Sequence, residues 1–391
     1  MSEIVIAGAM RTAIGSFLGQ FTDVPTPVLG ASAIGAALAQ AGIAASDVSE
    51  VIMGCVLPAN LGQAPARQAA IAAGIPVSTG ATTINKVCGS GMKAIMFGHD
   101  LIKAGSAAIV VAGGMESMTN APHMIPHSRT GHRYGNFQAV DHMAWDGLTN
   151  AYDGEPMGVF AEATAAKYGF TREDQDAYAI ESVRRAQAAQ ASGAFAGEIV
   201  PVKVATRKGE VEYAADEQPG RSDVAKILAL RPAFRKDGTV TAASSSSISD
   251  GAAAAVLLSA EEAARRGLAP LARIVAHATH SQAPEWFTTA PIGAIRALLD
   301  KTGWTLDQVD LFEINEAFAV VAMAPIRELG IPHDKVNVNG GACALGHPIG
   351  ASGTRLVVTL LNALRSRGLK RGIASLCIGG GEATAIAIEL I

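Results

Sequence analysis

Short apolar runs alternate with stretches of helical spacing along most of the chain. The runs at 48–55, 107–116 and 309–316 have the length of buried strands and end in glycine, cysteine or a polar residue. Helical patterns open at the glycine-rich turns of 88–95 and 350–357. This alternation predicts an α/β fold with tight turns between strands and helices.

The same pattern occurs twice. Four pairs of segments resemble each other: 48–55 and 309–316, 88–95 and 350–357, 107–116 and 374–382, and 250–259 and 381–390. In the third pair, an apolar strand runs into a glycine turn that a glutamate closes. The strand after this turn follows at once in the second half, but in the first half it is delayed to about residue 250. We therefore predict a first half at 1–117 that residues 249–270 complete, an inserted subdomain at 118–248, and a second half at 271–391.

The predicted insertion has a composition of its own. Residues 118–150 lack periodicity and indicate a long ordered loop, whereas 157–193 read as helical, with a capping-box pattern at Thr171 and a stop at Gly193. Residues 198–236 carry scattered basic side chains, which usually indicate a solvated surface. A phosphate-binding role is slightly favoured here, because the insertion would lie beside the candidate site. The basic residues are Lys203, Arg207, Lys208, Arg221, Lys226, Arg231, Arg235 and Lys236.

Composition narrows the class of protein. Of 391 residues, 49% are hydrophobic and 17% charged, which is enough apolar material for a large core. A net charge of −4 argues against a nucleic-acid partner. The four cysteines are far apart without a CxxC pair, which indicates reduced thiols rather than a disulfide frame or a zinc site. The N-terminus lacks the pattern of a signal peptide, and no apolar stretch is long enough to span a bilayer. We expect a soluble cytoplasmic protein.

Cys88 is the first candidate for chemistry. It follows a strand-like run and precedes a Gly-Ser-Gly turn that enters an apolar helix. A cysteine at a helix N-terminus lies near the positive end of the helix dipole and near free backbone N–H groups, and both are expected to lower the pKa of its thiol. The alternative is a buried, inert cysteine, and this motif alone does not decide between the two.

Three further candidates lie at comparable junctions. His347 is held in a glycine-rich loop, where its neutral imidazole can accept a proton near pH 7, although it could instead cap the following helix. Cys377 ends a strand, and the backbone N–H groups of 379–381 can stabilise a thioester oxyanion, unless this is simply a tight strand–strand turn. Asn315 follows a strand and can hold a water or a carbonyl oxygen, although a buried asparagine more often binds local backbone.

These candidates all fall at strand–helix junctions of the two halves. Junctions at one edge of an open α/β sheet are where such folds bind ligands. The reaction class that the residue types favour is acyl transfer by a nucleophilic cysteine, with a second acid/base group.

Five motifs resemble those of one family. NKVCGSGMKA around Cys88, GGMESM at 113–118, NEAFA at 315–319, GHPIGASG at 346–353 and CIGGG at 377–381 occur in the order and at the spacing of the thiolases, and the resemblance covers essentially the whole chain. It implies thiolase-like duplicated βα halves in a layered αβαβα arrangement, with an inserted loop subdomain that binds coenzyme A (CoA). CoA is implied as substrate and product, with no tightly bound cofactor and no metal.

The resemblance also implies roles for the candidates. Cys88 becomes acylated, His347 activates it, and Cys377 is the acid/base that acts on the α-carbon of acetyl-CoA. Asn315 and His347 form one oxyanion site through a water, and the backbone N–H groups of Cys88 and Gly379 form the other. Two cysteines are needed because the enzyme must both hold an acyl group and make a carbon nucleophile.

The remaining implied contacts concern CoA and assembly. Leu148 and Met157 line the pantetheine and acyl pocket, Arg221 lies near the adenine nucleotide, and Phe234 and Phe318 wall the pocket. Ser246 belongs to the loop at 241–247, which contacts pantetheine in the family. Residues 118–145 resemble the family's assembly loop, so a homo-oligomer is expected, as a tetramer built from two dimers.

Several departures from the common thiolase pattern leave chain length open. The loop at 241–247 reads TAASSSS where many thiolases read TAGNASG. Pro156 replaces the histidine of short-chain biosynthetic members, and Phe160, Trp286 and Phe287 add bulk beside the expected pocket. The expected reaction is the reversible condensation of two acetyl-CoA to acetoacetyl-CoA and CoA through an acyl-cysteine, and the alternative is a degradative 3-ketoacyl-CoA thiolase of broader chain length.

Two other classes fit the sequence less well. Decarboxylating ketosynthases share the duplicated fold and a cysteine nucleophile but lack a second catalytic cysteine, so Cys377 favours a thiolase. A non-catalytic acyl-CoA binding protein would be expected to lose a catalytic residue, whereas all four are present.

Overall fold

The computed structural model describes residues 3–207 and 209–391, so Lys208 lies outside the described residues. The first half contains β1 (Ile4–Thr12), β2 (Gly15–Ser16), α1 (Thr26–Ala41), β3 (Glu50–Gly54), α2 (Pro65–Ala72), β4 (Gly80–Ile84), α3 (Ser90–Lys103) and β5 (Ile109–Ser117). The segment that follows contains β6 (His123–Met124), β7 (Val140–Asp141), α4 (Met157–Tyr168), α5 (Arg172–Ala191), β8 (Ile199–Val200), β9 (Val202–Thr206), β10 (Gly209–Tyr213), α6 (Glu217–Arg221) and α7 (Val224–Ile227).

The chain then returns to the main sheet. The remaining elements are β11 (Ser249–Ser259), α8 (Ala260–Arg265), β12 (Ala272–Ser281), α9 (Ala290–Thr302), β13 (Leu311–Ile314), α10 (Ala319–Leu329), α11 (Ala342–Leu345), α12 (Ser352–Arg367), β14 (Arg371–Ile378) and β15 (Glu382–Leu390). Among the residues that the structure describes, no helix is long and apolar enough to cross a membrane.

Strand order confirms the predicted duplication. The main sheet runs β13-β14-β15-β12-β1-β11-β5-β3-β4, so that β3-β5-β11-β1 of one half mirrors β13-β14-β15-β12 of the other. Corresponding pairs have the same sense: β3–β5 and β13–β14 are parallel, whereas β5–β11 and β14–β15 are antiparallel. The halves join where β1 pairs with β12 over three residues, Ile4 to Ile6 against Ala272 to Ile274.

Helices cover the sheet in layers, as predicted. Helices α1 and α9 pack on the outer faces of the two halves, and α3 and α12 pack against each other between them. The central apolar cluster combines Met92 and Ile95 of α3, Leu356 and Leu360 of α12, and strand residues of both halves, such as Val110 and Ile386, all buried. The arrangement is therefore αβαβα, held by burial of apolar side chains on both faces of the sheet.

One detail of the predicted repeat is wrong. The first half has no glycine turn at Gly113 and Gly114, because both lie inside β5, opposite Ala254 and Ala253 of β11. A Cβ on Gly114 would be 2.0 Å from the carbonyl oxygen of Gly350, so these glycines admit close backbone approach rather than a turn. In the second half the turn exists, with positive φ at Gly380 and Gly381.

The inserted helices form largely as predicted. The segment at 157–193 divides into α4 and α5 at Gly169, which has a positive φ. The predicted capping box at Thr171 is confirmed: its hydroxyl accepts from the backbone N–H of Asp174, whose carboxylate accepts from the backbone N–H of Thr171. Residues 118–150 form mostly irregular backbone with short pieces of structure, including a π-helical turn at Met143–Gly147.

A buried arginine ties this segment to the main sheet. Arg11 of β1 is fully buried; its Nε lies 2.7 Å from Glu198 Oε1, and its Nη1 and Nη2 lie 2.7 and 2.9 Å from the two carboxylate oxygens of Asp216. Asp216 also accepts from the backbone N–H of Ile14. Both carboxylates come from the segment after α5, so one guanidinium fixes that segment against β1.

We predict that Arg11→Ala destabilises the fold by about 3–5 kcal/mol, because it leaves two buried carboxylates without a cationic partner. The measurement is the free energy of unfolding in urea. The matched control is Lys203→Ala, since Lys203 forms an exposed pair with Glu210 at 3.3 Å, and its loss should cost no more than about 1 kcal/mol. Equal losses in the two variants would show that the Arg11 network does not hold the insertion.

Candidate active site

The turn that carries Cys88 is rigid and strained. It joins β4 to α3, and Val87 has φ +46°, a left-handed conformation that β-branched residues rarely adopt. Side chains on either side hold it: Asn85 Oδ1 accepts from the backbone N–H of Val87 at 2.8 Å. Ser90 Oγ accepts from the N–H of Lys86 at 2.8 Å and donates to the carbonyl of Val87 at 2.7 Å. Backbone strain that several hydrogen bonds hold in place is typical of functional sites.

The thiol of Cys88 is neutral in its surroundings, contrary to the sequence-based expectation. Burial of the sulphur raises its pKa to about 11, although backbone N–H groups of Gly379 and of Cys88 itself hydrogen-bond to it and act in the opposite direction. The expected donors are thus present, but desolvation outweighs them. Near neutral pH the nucleophile is therefore a thiol that needs a base.

Cys377 lies next to Cys88. It is buried near the end of β14, and its pKa is raised well above the usual value, first by desolvation and then by the charge of Cys88. The two sulphurs are therefore close enough to oppose simultaneous ionisation. The turn at 379–381 is held to the turn of the nucleophile by an ion pair between Lys86 and Glu382.

His347 is buried and held in one tautomer. Burial, followed by the charge of Arg355, lowers its pKa to about 3, so the imidazole is neutral near pH 7. Ser352 Oγ lies 2.5 Å from His347 Nδ1 and donates its own proton to the carbonyl of Pro348 at 2.9 Å. Because that hydroxyl has one proton, it must accept from Nδ1–H. The lone pair is therefore on Nε2, where a base needs it.

Asn315 continues this chain of polar contacts. Its Nδ2 donates to His347 Nε2 at 3.3 Å, and its Oδ1 accepts from Arg355 Nη2 at 3.4 Å. Arg355 Nη1 lies 3.3 Å from Glu313 Oε2. All four side chains are buried. The amide of Asn315 is thus oriented by the guanidinium of Arg355 behind it, with its N–H₂ directed to the imidazole.

Sequence reasoning missed two side chains that support the site. In the sequence, Ser352 is part of the helix start GASG, and its hydroxyl, five residues after His347, is the signal that indicates a hydrogen-bond partner for the imidazole. Glu116 is fully buried, and its carboxylate accepts from the backbone N–H groups of Val56 at 3.0 Å, Leu57 at 3.1 Å and Gly350 at 2.9 Å. It thereby fixes the loop that carries His347 against the loop after β3. In the sequence, the signal for this supporting role is a glutamate inside a largely apolar strand.

Apolar side chains of the inserted segment reach the same place. The methyl carbon of Met157 lies 3.4 Å from the position that a Cβ on Gly379 would take, with Val87 at 3.7 Å. Leu148 packs on a small cluster that Cys88 also contacts, together with Leu57 and Ile349. Leu148 and Met157 are joined by a backbone hydrogen bond of 3.1 Å.

The aromatic pair predicted to wall the pocket is in contact. Phe234 and Phe318 form a T-shaped pair with centroids 5.8 Å apart, and the ring of Phe234 covers Gly158 so closely that a Cβ there would lie 2.3 Å away. Ser246 lies beside Phe318: its hydroxyl donates to the carbonyl of Ala317 at 3.1 Å. In the same loop, the carbonyl of residue 247 accepts from the backbone N–H of His347 at 3.2 Å.

The basic side chains at 198–236 that the structure describes are exposed on the surface. Arg221, on α6, is exposed and pairs with Glu217 at 2.5 Å, and Lys226 pairs with Asp223 at 3.3 Å. Their charges are thus partly neutralised by local carboxylates, and none of these contacts joins them to the cysteines.

Two family models together match nearly the whole chain. The thiolase N-terminal domain matches residues 4–261 and the thiolase C-terminal domain matches residues 268–390. The chain belongs to the thiolase family. This thiolase is 54% identical over 389 residues to an acetyl-CoA acetyltransferase of Chromobacterium violaceum, with 99% of each chain covered. It is 51% identical to one of Pseudomonas aeruginosa, again with 99% of each covered.

Solved structures show the same fold. A thiolase of Ascaris suum in complex with coenzyme A is 45% identical, with a TM-score of 0.94 and 100% of both chains covered. An acetyl-CoA acetyltransferase of Bacillus anthracis is 40% identical, with a TM-score of 0.97 and coverage of 100% of this thiolase and 99% of that chain.

The pKa of the Cys88 thiol leads to a prediction. Because only the thiolate reacts, alkylation of Cys88 by iodoacetamide should keep accelerating about tenfold per pH unit beyond about pH 9. An ordinary thiol would reach its plateau there, since its pKa is about 8.5. The rate is followed by mass spectrometry, and Cys88→Ser gives the background from other thiols. A plateau below about pH 9 would contradict the desolvated thiol.

Proposed function

We propose that this thiolase is an acetyl-CoA acetyltransferase, which joins two acetyl-CoA into acetoacetyl-CoA and CoA through an acyl-cysteine and also runs the reverse thiolysis. Relatives at about 50% identity over their full length carry that name. The observation that carries the proposal is the pair of adjacent thiols, Cys88 and Cys377, beside the N–H of Gly379. A second thiol is what separates this chemistry from that of a decarboxylating ketosynthase.

In the first half-reaction, Cys88 attacks the carbonyl carbon of acetyl-CoA. Its proton passes to Nε2 of His347, where the tautomer places the lone pair, and it takes the place of the hydrogen bond from Asn315. With a thiol pKa of about 11 and an imidazole pKa of about 3, a stable ion pair is unfavourable, so the proton moves as the C–S bond forms. The N–H groups of Cys88 and Gly379 hold the oxyanion. CoA leaves as a thiol with the proton of His347, and the acetyl group stays on Cys88.

In the second half-reaction, Cys377 is the base. Acylation converts Cys88 to a thioester, which carries no charge beside Cys377. The proton of Cys377 moves to His347 as the sulphur of Cys377 removes an α-proton from the second acetyl-CoA, so no stable ion pair between Cys377 and His347 is needed. The enolate oxygen then faces the protonated His347 and a water held by Asn315. The carbon attacks the acyl carbonyl, the bond to Cys88 breaks, and Cys88 takes the proton of His347. Both thiols are then protonated again.

The inserted segment supplies the proposed CoA site. Leu148 and Met157 would contact pantetheine and the acyl group, with Ser246 of the 241–247 loop beside them. Phe234 and Phe318 would wall the pocket. Arg221 would lie near the adenine nucleotide. We assign residues 1–117 with 249–270 to the first half, 118–248 to the insertion and 271–391 to the second half.

Cell location and assembly are also proposals. All four cysteines are free thiols, as expected for a reducing cytoplasm. Residues 118–145 expose large apolar side chains, with Phe137 and Trp145 each more than half exposed and Ile125 partly so. Such exposure supports contacts between copies in a homotetramer that acts on small CoA thioesters in fatty acid metabolism.

One observation favours the broader-chain alternative. A cavity of about 470 Å³ is lined by Phe234, together with Phe160, Arg235 and Trp286. An acyl chain that displaced Phe234 would enter this cavity. A degradative 3-ketoacyl-CoA thiolase is therefore the second candidate.

Chain length decides between these candidates. We predict rapid CoA-dependent cleavage of acetoacetyl-CoA and a kcat/KM at least about tenfold lower for six-carbon and longer 3-oxoacyl-CoAs, because Met157 and the Phe234–Phe318 pair close the pocket. The measurement is loss of the enolate absorbance of each substrate. Equal or faster cleavage of longer chains would establish the degradative alternative, and Phe160→Ala would then test the cavity. No cleavage at any length would refute the thiolase activity.

The division of labour between the cysteines is tested separately. Cys377→Ser should still be acetylated by acetyl-CoA with release of one CoA per site, but condensation should fall by at least about 100-fold, because the carbon acid loses its base. Cys88→Ser should lose the acetylated intermediate altogether. Cys343→Ser, which alters a buried thiol that hydrogen-bonds to the carbonyl of Glu316, controls for loss of a buried sulphur. Near-normal condensation in Cys377→Ser would show that its role is wrongly assigned.

A further inference from the structure

A second cluster of ionisable side chains lies away from the two cysteines. His99 and Asp100 are on the last turns of α3, nine and ten residues after its first residue, which places them about 14 Å along the helix from the turn of Cys88. His277 is on β12, in the other half of the molecule. The acyl-transfer mechanism uses none of these three residues.

Their ligand atoms converge on one point. His99 Nδ1 lies 2.9 Å from Asp100 Oδ1, and His277 Nε2 lies 3.0 Å from the same oxygen. The three atoms all lie within 4.8 Å of one another. The two imidazoles are perpendicular, at 88°, with centroids 4.9 Å apart. Each ring directs a different nitrogen to the shared oxygen as an N–H donor, and the other neutral tautomer of each ring would present a lone pair at the same position.

These dimensions are near those of a metal site. Around tetrahedral zinc, with bonds of about 2.0–2.1 Å, neighbouring ligand atoms are about 3.3 Å apart. The two nitrogen–oxygen distances would open by a few tenths of an ångström. The Asp100 side chain is 56% exposed, so an ion has access from solvent and can keep a water as its fourth ligand.

The protonation states also suit a cation. Partial burial opposes ionisation of Asp100, but hydrogen bonds from His99 and His277 outweigh it and keep the pKa of the carboxyl below its usual value. Desolvation lowers the pKa of His277 despite the opposing effect of Asp100. A carboxylate and a neutral imidazole are the ligand forms that a metal requires. Lys301, whose Nζ donates to the carbonyl of His277 at 2.9 Å, adds a nearby positive charge that weakens binding.

We propose that His99, Asp100 and His277 form a site for one divalent transition-metal ion such as Zn²⁺, which links α3 of the first half to β12 of the second. Two imidazole nitrogens with one carboxylate select zinc, nickel or copper over magnesium and calcium, which take oxygen ligands. The site is structural, since it holds two elements of the fold together at a distance from the reacting atoms. It goes beyond the proposed acyl transfer and does not depend on it.

The test is Zn²⁺ binding to the intact protein after treatment with a chelator. Isothermal titration should show one site per subunit with a Kd of micromolar order, and Zn²⁺ should raise the melting temperature. His99→Ala and His277→Ala should each weaken binding at least about tenfold and abolish the thermal shift, since even outer-shell substitutions cost about 10–100-fold. Asp100→Asn, which keeps the size of the side chain but removes its charge, should also weaken binding.

The matched control is His280→Ala. His280 is also on β12, but its Nε2 lies 3.1 Å from Gln282 Oε1 and it is not part of the cluster, so its loss should leave Zn²⁺ binding unchanged. Co²⁺ serves as a spectroscopic probe, because a nitrogen and oxygen site gives visible d–d bands without the sulphur charge-transfer band of an ion on Cys88 or Cys377. Unchanged Zn²⁺ binding in His99→Ala and His277→Ala, a cobalt–sulphur band, or no binding below about 100 μM metal would each overturn the proposal.

Discussion

Backbone contact between the first turns of α3 and α12 is the constraint on which the site depends. A Cβ on Gly353 would lie 2.4 Å from the backbone nitrogen of Met92, and a Cβ on Gly91 would lie 3.0 Å from the carbonyl oxygen of Gly350. Only glycine allows two helices to meet so closely. Because α3 follows Cys88 and α12 follows His347, this contact brings the two turns together. The glycines of CGSG and GASG thus serve packing. They matter for the chemistry because Cys88 and His347 lie just before the two helices that they bring together.

Burial then sets the charge state of each reacting group. The same close packing that buries His347 and partly buries Cys88 keeps both neutral near pH 7, with the thiol pKa raised and the imidazole pKa lowered. Fixed polar partners replace the lost water: Ser352 and Asn315 for the imidazole, and backbone N–H groups for the sulphur. A site of this kind is organised before substrate arrives, so little reorganisation is needed when charge develops on the thioester oxygen.

The interior also contains ionisable side chains that take no part in the chemistry. Glu116 is compensated by three backbone N–H groups, and burial still raises its pKa to about 7. Arg355 and Glu313 face each other behind Asn315, and burial raises the pKa of Glu313 to about 8. Burying such groups costs desolvation energy, and removing only one partner of a buried pair strongly destabilises the fold. Glu116 joins the loop after β3 to the loop of His347, and Arg355 with Glu313 supports Asn315, so both groups hold the polar side of the site in place.

The sequence by itself determined the fold class, the duplicated strand order and the identity of the four candidate side chains, because hydrophobic period, turn composition and motif spacing are local properties of a chain. Tertiary structure alone decided the rest. In the sequence, Gly113 and Gly114 resemble a turn. The structure shows that they lie inside a strand, where the carbonyl of Gly350 packs so closely against β5 that Gly114 has no room for a side chain. The thiol of Cys88 was expected to be acidified by its helix, yet desolvation, which depends on every neighbour at once, reverses the sign. The cluster of His99, Asp100 and His277 joins residues about 180 positions apart, and no local pattern brings α3 to β12.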